Sequence, residues 1–311
     1  MTPTLRTAPS DLGDMPLFST VEAEARGISR RDLRVLVRRE LIWQVARGWY
    51  SSRMDAGPED RHILRALATM RLQGGTTTAC RHTAALILGM PLVRTDLSIV
   101  EISKESSTHG RTTAGVRVSQ LDVERTGRVE VPLPDFETSA LTVSPAWAVV
   151  GTALTNNLAG ALAAGDHALR HAMCGRSEID AALEDARGAK GVARARETLS
   201  HLEPRHESPG ETLTAVVLRR SSWTFEPQVA VRAAGRMYRL DFGVRELKLA
   251  VEFDGQTKYT GPEVMAAQVV RENHLRDEGW TFVRFDWSDL DDEAGMHSRL
   301  AAAAWACRDV T

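Results

Sequence analysis

The spacing of apolar residues changes several times along the chain, and each change predicts an element. Residues 1–16 are rich in Pro and Thr without a period, which predicts a loose arm. Ser19-Thr-Val-Glu-Ala-Glu-Ala-Arg-Gly27 reads as a short helix, capped by Ser19 or Thr20 and ended by Gly27. Ile28-Ser29 opens a second helix, in which Leu33, Leu36 and Val37 recur at i, i+3 and i+4. Ser29-x-x-Asp32 forms a capping box with Asp in place of the usual Glu. Arg30, Arg31, Arg34 and Arg38 lie mostly off the apolar stripe. Leu41 to Tyr50 alternates loosely toward Arg47-Gly48-Trp49-Tyr50, which predicts two strands and a turn.

The middle of the chain mixes both periods. Helices are predicted over Arg61–Leu72 and Thr78–Gly89, and strands near Leu97–Ser103, Gly115–Leu121 and Arg128–Val131. An Ala-rich helical stretch runs from Pro145 to about Met173, broken near Asn156-Asn157. Ser177 to about Leu202 reads as one charged helix with Gly188 and Gly191 inside it. His167 and His171 share a helix face, but no third ligand is evident, so packing and capping explain them better than a metal. His201-Leu-Glu-Pro-Arg-His-Glu-Ser-Pro-Gly210 punctuates the chain, and from Glu211 the order becomes helix, strand, hairpin, helix, strand, helix. The expectation is an α+β multidomain protein with a helical and ribbon module over 1–58, a mixed α/β and helical linker region over 59–200, and an α/β module over 201–311.

Charge sharpens the first module. Between Arg26 and Arg53 stand eight arginines against Asp32 and Glu40, although the whole chain carries a formal charge of −2. A basic module in a near-neutral chain is the electrostatic footprint of a nucleic-acid binder. Three separated cysteines in no CxxC pattern argue against a disulfide framework or a zinc knuckle and fit a reducing compartment. No signal-peptide core opens the chain and no apolar run is long enough to span a bilayer, so a cytoplasmic protein without a membrane partner is expected. The absence of GxxxxGK[ST] and of GxGxxG after a strand argues against a nucleotide cofactor, and no GxSxG elbow supports a serine hydrolase.

The candidate chemistry lies in Leu240-Asp241-Phe242 and Val251-Glu252-Phe253-Asp254. Side chains alternate along a strand, so a hairpin can gather the acids opposite the apolar residues, on a face or rim away from the core. Converging carboxylates repel unless a hard cation neutralises them, and oxygen ligands suit Mg²⁺. Such a centre can activate water and stabilise a phosphoryl transition state.

An Asp, ten intervening residues and Glu-x-Asp-Gly resemble the PD-(D/E)xK nuclease core, most of all its very-short-patch-repair-like branch. Glu211 matches the acid of the family's first helix, Gln228 the polar residue opening its first strand, and Arg271 through Arg284 its late helix and last core strand. The resemblance implies a restriction-endonuclease-like fold, Asp241 and Glu252 as ligands of Mg²⁺, Glu211 and Asp254 as supporting acids, and Gln256 or Lys258 positioning the attacking water. Asp254 stands where the wider superfamily has a catalytic lysine; Lys258, one of four lysines among 39 basic residues, fits the later position used by this branch. The first module resembles the winged helix–turn–helix of AbiEi-type antitoxins, through Gly27-Ile-Ser-Arg-Arg-Asp-Leu33, the basic run and Arg47-Gly-Trp-Tyr. That resemblance implies duplex DNA as partner, with Arg30, Arg31, Arg34 and Arg38 at a groove and Arg47 on phosphate, and a cognate toxin as a second partner. The middle region resembles the linker that joins these two modules in actinobacterial proteins. Two functions stay open here: a Mg²⁺-dependent endonuclease delivered by a DNA-binding module, or an antitoxin-like repressor with an inactive nuclease fold.

Overall fold

The computed structural model describes Leu12 and residues 15–74, 77–104, 111–113, 115–120, 122–255 and 262–308. It is a mixed α/β protein with three sheets among the described residues. None of the described helices is long and apolar enough to cross a membrane. The chain divides into two compact units, residues 1–164 with 173–200, and residues 165–172 with 201–311.

The first unit opens with β1 (Phe18–Ser19), α1 (Thr20–Ala25), α2 (Arg30–Arg38), β2 (Trp43–Ala46) and β3 (Trp49–Ser51). Both helices begin at capping boxes. Ser19 Oγ accepts the Glu22 amide while the Glu22 carboxylate accepts the Ser19 amide, and Ser29 with Asp32 repeats the exchange. Gly27, at φ 80°, supplies the left-handed residue between the helices. Leu12, Phe18, Ala23, Ile28, Leu33, Leu36 and Ile42 form the core beneath them. The expected two-stranded ribbon is a three-stranded antiparallel sheet in the order β1-β3-β2, because Phe18 pairs with and stacks on Tyr50.

The unit continues through α3 (Pro58–Gln73), β4 (Thr78–Ala79), α4 (Arg81–Ile87), β5 (Val100–Lys104), β6 (Arg111–Thr113), β7 (Val116–Gln120), α5 (Val123–Thr126), β8 (Val129–Leu133), β9 (Thr138–Thr142), α6 (Pro145–Leu154), α7 (Leu158–Arg170), α8 (Arg176–Asp185) and α9 (Val192–Leu199). Its strands form one mixed sheet in the order β6-β7-β5-β4-β9-β8. Two expectations are corrected. Thr78–Ala79 pairs with β5 as a strand instead of starting the helix. The charged helix predicted over 177–202 is two helices, because Gly188 and Gly191 both take left-handed backbone, at φ 85° and 88°.

Several polar groups buried in this unit satisfy one another. Glu101 meets Arg81 at 2.7 Å and Arg117 at 2.5 Å. The Thr83 hydroxyl accepts the Glu101 amide and lies 2.9 Å from His62 Nε2, while His62 Nδ1 lies 2.8 Å from the Leu97 carbonyl. One neutral tautomer satisfies all three interactions: Nδ1 donates to the carbonyl and Nε2 accepts from the hydroxyl. Burial holds the His62 pKa down from 6.5 to about 4. A histidine whose folded pKa is lowered stabilises the fold fully above its unfolded pKa, and that contribution drains away as pH falls from 6.5 toward 4. The drop corresponds to about 3 kcal/mol. Urea unfolding of wild type and His62→Gln should therefore give stabilities that converge as the pH is lowered from 7 to 4. A gap independent of pH would contradict the buried neutral imidazole.

In the second unit the last turns of α7 join α10 (Pro209–Leu218), β10 (Glu226–Ala233), β11 (Arg236–Val244), β12 (Leu249–Phe253), α11 (Pro262–Asp277), β13 (Thr281–Phe285) and α12 (Glu293–Arg308). The sheet runs β10-β11-β12-β13, antiparallel in its first two pairings and parallel in the last. Every residue of β12 is buried. Phe253 packs under the start of α10 at Gly210 and meets Trp287 edge-on at 5.2 Å. Leu275 of α11 belongs to a core with Val229, Leu240, Ala250 and Trp280. A methyl group added at Gly210 would enter the Phe253 ring. Gly210→Ala should cost about 1–3 kcal/mol, the usual range for overpacking, read as a lower midpoint in thermal unfolding; an unchanged midpoint would mean that α10 can lift off β12 freely.

Candidate active site

The β11–β12 ladder brings the two principal acids together. Phe242 pairs with Val251, and one step along the same register sets Asp241 level with Glu252. The Asp241 carboxylate accepts the Phe253 amide at 2.9 Å, so it reaches the backbone of β12 beside Glu252. Glu252 in turn lies level with Arg284 of β13 through the parallel pairing. Asp254 follows just past the end of β12, its amide bonded to the Phe285 carbonyl. The solvated rim expected for these acids is realised only in part, because Glu252 is buried while Asp241 and Asp254 are half-buried.

Arginines explain how a buried glutamate is tolerated. Arg271 of α11 donates to Glu252 Oε1 at 2.5 Å and to the Arg239 carbonyl at 2.7 Å. Arg284 Nε stands 3.7 Å from Glu252 and 3.6 Å from Asp254, and its outer nitrogen pairs with Glu272. Burial pushes the Glu272 carboxyl up, but hydrogen bonds from Arg284 and Arg276 outweigh it and leave its pKa lowered. A buried carboxylate without such partners would neutralise instead.

Glu211 is held by a separate set of hydrogen bonds. It occupies the third position of α10, where its amide donates to the Ser208 hydroxyl that caps the helix. Its carboxylate accepts the Ser208 hydroxyl at 3.0 Å, the Glu207 amide at 2.9 Å and the Gln228 side chain at 2.8 Å. Gln228 takes φ 56° within β10, between the paired residues Pro227 and Val229. A non-glycine residue in left-handed backbone is strained, and the bond to Glu211 is what the distortion permits. By the β10–β11 register Gln228 lies level with Asp241, so Gln228, Asp241, Glu252 and Arg284 follow one another across the sheet, and Glu211 of α10 bonds to Gln228 at its edge. Gln256 and Lys258 lie outside the described residues. Among the described residues no group of three or more His, Cys, Asp and Glu side chains is placed to hold a metal ion.

Two further networks are not foreseen from the sequence. Buried Asp166 accepts from Thr212 at 2.8 Å and from the Glu203 amide at 2.7 Å, and it pairs with His206 Nδ1 at 2.8 Å. This network ties the end of α7 to the turn that presents Glu211. Glu207 Oε1 also joins Arg170 and Arg239, each at 2.6 Å. The signal available was the Arg205-His206-Glu207 cluster beside the Pro-Gly boundary, but its partner Asp166 lies 40 residues away.

In the first unit, α2 turns Leu33, Val35 and Leu36 into the core and leaves Arg30, Arg31, Arg34 and Arg38 on its outer side. Arg30, Arg34 and Arg38 are spaced by four and lie in line along the helix. Arg34 and Arg38 each donate from Nε to the carbonyl four residues back, while Arg30 pairs with Glu24 at 3.0 Å. Arg47 stands in the turn between β2 and β3.

No protein-family model matches the chain. It is 31% identical over 274 residues to the uncharacterized protein MT2308 of Mycobacterium tuberculosis strain CDC 1551 / Oshkosh, a match covering 86% of this chain and 95% of that protein. The uncharacterized protein Rv2248 of strain ATCC 25618 / H37Rv is similar to the same extent, 31% identical over 274 residues with the same 86% and 95% coverage. Among solved structures, that of the RV2827C protein from Mycobacterium tuberculosis is 16% identical with a TM-score of 0.40, over 73% of this chain and 86% of that one.

Proposed function

The chain belongs to the family of the mycobacterial proteins MT2308 and Rv2248, and for it we propose a DNA-directed enzyme: a winged-helix module that binds duplex DNA, joined to a nuclease-fold unit that hydrolyses phosphodiester bonds with Mg²⁺. The observation that carries this reading is the Asp241 carboxylate bonded to the Phe253 amide, which sets it beside Glu252 on the neighbouring strand, with Asp254 just beyond it.

The donor set fits the ion. Mg²⁺ keeps several waters and takes one or two carboxylates together with substrate phosphate oxygens, so it does not require a cage made wholly of protein. Asp241 and Glu252 supply hard oxygens from adjacent strands, and Asp254 is near enough in sequence to orient a neighbour. When bound, Mg²⁺ lowers the pKa of coordinated water and offsets the charge that develops on phosphate. The chain's own residues do the rest. Glu211, fixed by three hydrogen bonds, shapes the approach beside Gln228. The resemblance assigns the positioning of the attacking water to Lys258 or Gln256, both outside the described residues. Arg284 stands beside Glu252 and Asp254 and helps to order them. In the first unit the outer arginines of α2 and Arg47 supply phosphate interactions, which orient a duplex without reading its sequence.

One observation favours a second reading, an antitoxin-like repressor with an inactive nuclease fold and a toxin as partner. Glu252 is already neutralised by two arginines. Incubating the full chain with supercoiled, linear, mismatched and single-stranded DNA separates the two. Nicking or cutting in Mg²⁺ that EDTA abolishes supports the enzyme. An operator footprint without cleavage on any of these substrates supports the repressor.

A further inference from the structure

The pairing of Arg271 with Glu252 has a chemical consequence for metal loading. The Arg271 side chain is 19% exposed and that of Glu252 only 6%, and one guanidinium nitrogen holds both Glu252 Oε1, at 2.5 Å, and the Arg239 carbonyl, at 2.7 Å. Arg284 is committed differently. Its outer nitrogen pairs with Glu272, and its Nε is shared at 3.6–3.7 Å between Asp254 and Glu252. Arg271 is therefore the close counter-charge of Glu252. We infer that Arg271 and a divalent cation compete for the Glu252 carboxylate, so that the arginine holds the acid in a self-neutralised resting state and must withdraw before the metal loads.

The driving force is electrostatic. A divalent ion and the Arg271 guanidinium would both set positive charge against the buried Glu252 carboxylate, where they repel each other with little solvent to screen them. Arg271 already occupies one oxygen of the carboxylate that, with Asp241, would hold the cation. The guanidinium sits on a long side chain near the middle of α11, so withdrawal needs rotamer changes and leaves the helix in place.

This inference rests on the metal-binding reading above, and its test separates the two. Mn²⁺ serves as the probe, titrated into the full chain and followed by the paramagnetic resonance of the free ion. Wild type, Arg271→Gln, Arg271→Lys and Glu252→Gln are compared. Arg271→Gln is expected to bind Mn²⁺ more tightly than wild type by about 5–150-fold, the usual range for coupled binding events. Arg271→Lys, which keeps the charge but loses the planar fork, is expected to fall between them. Glu252→Gln is expected to lose the site. In thermal unfolding, Mn²⁺ is expected to raise the midpoint of Arg271→Gln more than that of wild type, because the ion replaces the missing counter-charge. If Arg271→Gln folds only in the presence of Mn²⁺, that rescue is itself the predicted result, and Arg271→Lys supplies the affinity comparison. Equal Mn²⁺ affinity in wild type and both Arg271 variants, with binding still lost in Glu252→Gln, overturns the competition and leaves the metal site standing. Absence of any Mn²⁺ binding that depends on Glu252 overturns both.

Discussion

Asp241→Ala and Glu252→Ala are each expected to abolish Mg²⁺-dependent cleavage while leaving affinity for duplex DNA almost unchanged. The two acids sit level on adjacent strands, so neither can stand in for the other without shifting the ion. A misplacement of about 1 Å costs on the order of 10²-fold in rate, and losing a ligand altogether costs more. The arginines of the first unit are untouched by either change, so binding persists. Lys258→Ala is expected to cost less, because a group that only positions water has substitutes. Cleavage that survives Asp241→Ala would mean that the chemistry lies elsewhere.

Reversing charge at Arg34 and Arg38 is expected to weaken duplex binding at least severalfold on every sequence tested. Both side chains lie along one line of α2 with Arg30, on the side away from the core. Each phosphate left without its arginine makes the fall of log K with log salt shallower by about 0.9, so the double reversal should flatten it by about 2. Binding isotherms at several salt concentrations give affinity and slope together. An unchanged slope would place the DNA surface on another face of the protein.

The parts of this architecture that were legible in the sequence are those set by near neighbours. Ser19 and Ser29 start helices because their hydroxyls and the acids three residues on satisfy each other's amides, and that spacing is visible in the residues alone. The approach of Asp241 to Glu252 follows from ten intervening residues and alternating apolar positions, although the connection holds a 3-10 turn over Arg245–Leu247. What could not be read depends on distant partners. Glu252 is buried because α11 docks on the sheet, and no periodicity in β12 announces that docking. Arg284 reaches Glu252 through a parallel pairing, which the sequence leaves open. The backbone at Gln228 in β10 is left-handed, which local preference argues against, and its side chain bonds to a carboxylate on α10. Strands β6 and β9 are short or polar, and only their place beside β7 and β8 makes them strands.

In the proposed enzyme, Asp241 and Glu252 hold one divalent ion for phosphodiester hydrolysis. Crystals of the full chain grown with Mn²⁺ and a short duplex test it directly, through anomalous scattering at the manganese edge. An anomalous peak is expected within about 2.0–2.2 Å of a carboxylate oxygen from each residue, close to the distances that small octahedral cations demand, with Arg271 turned away from Glu252. A DNA-bound structure in which Arg271 still bonds to Glu252 and no peak lies between the two acids would contradict it.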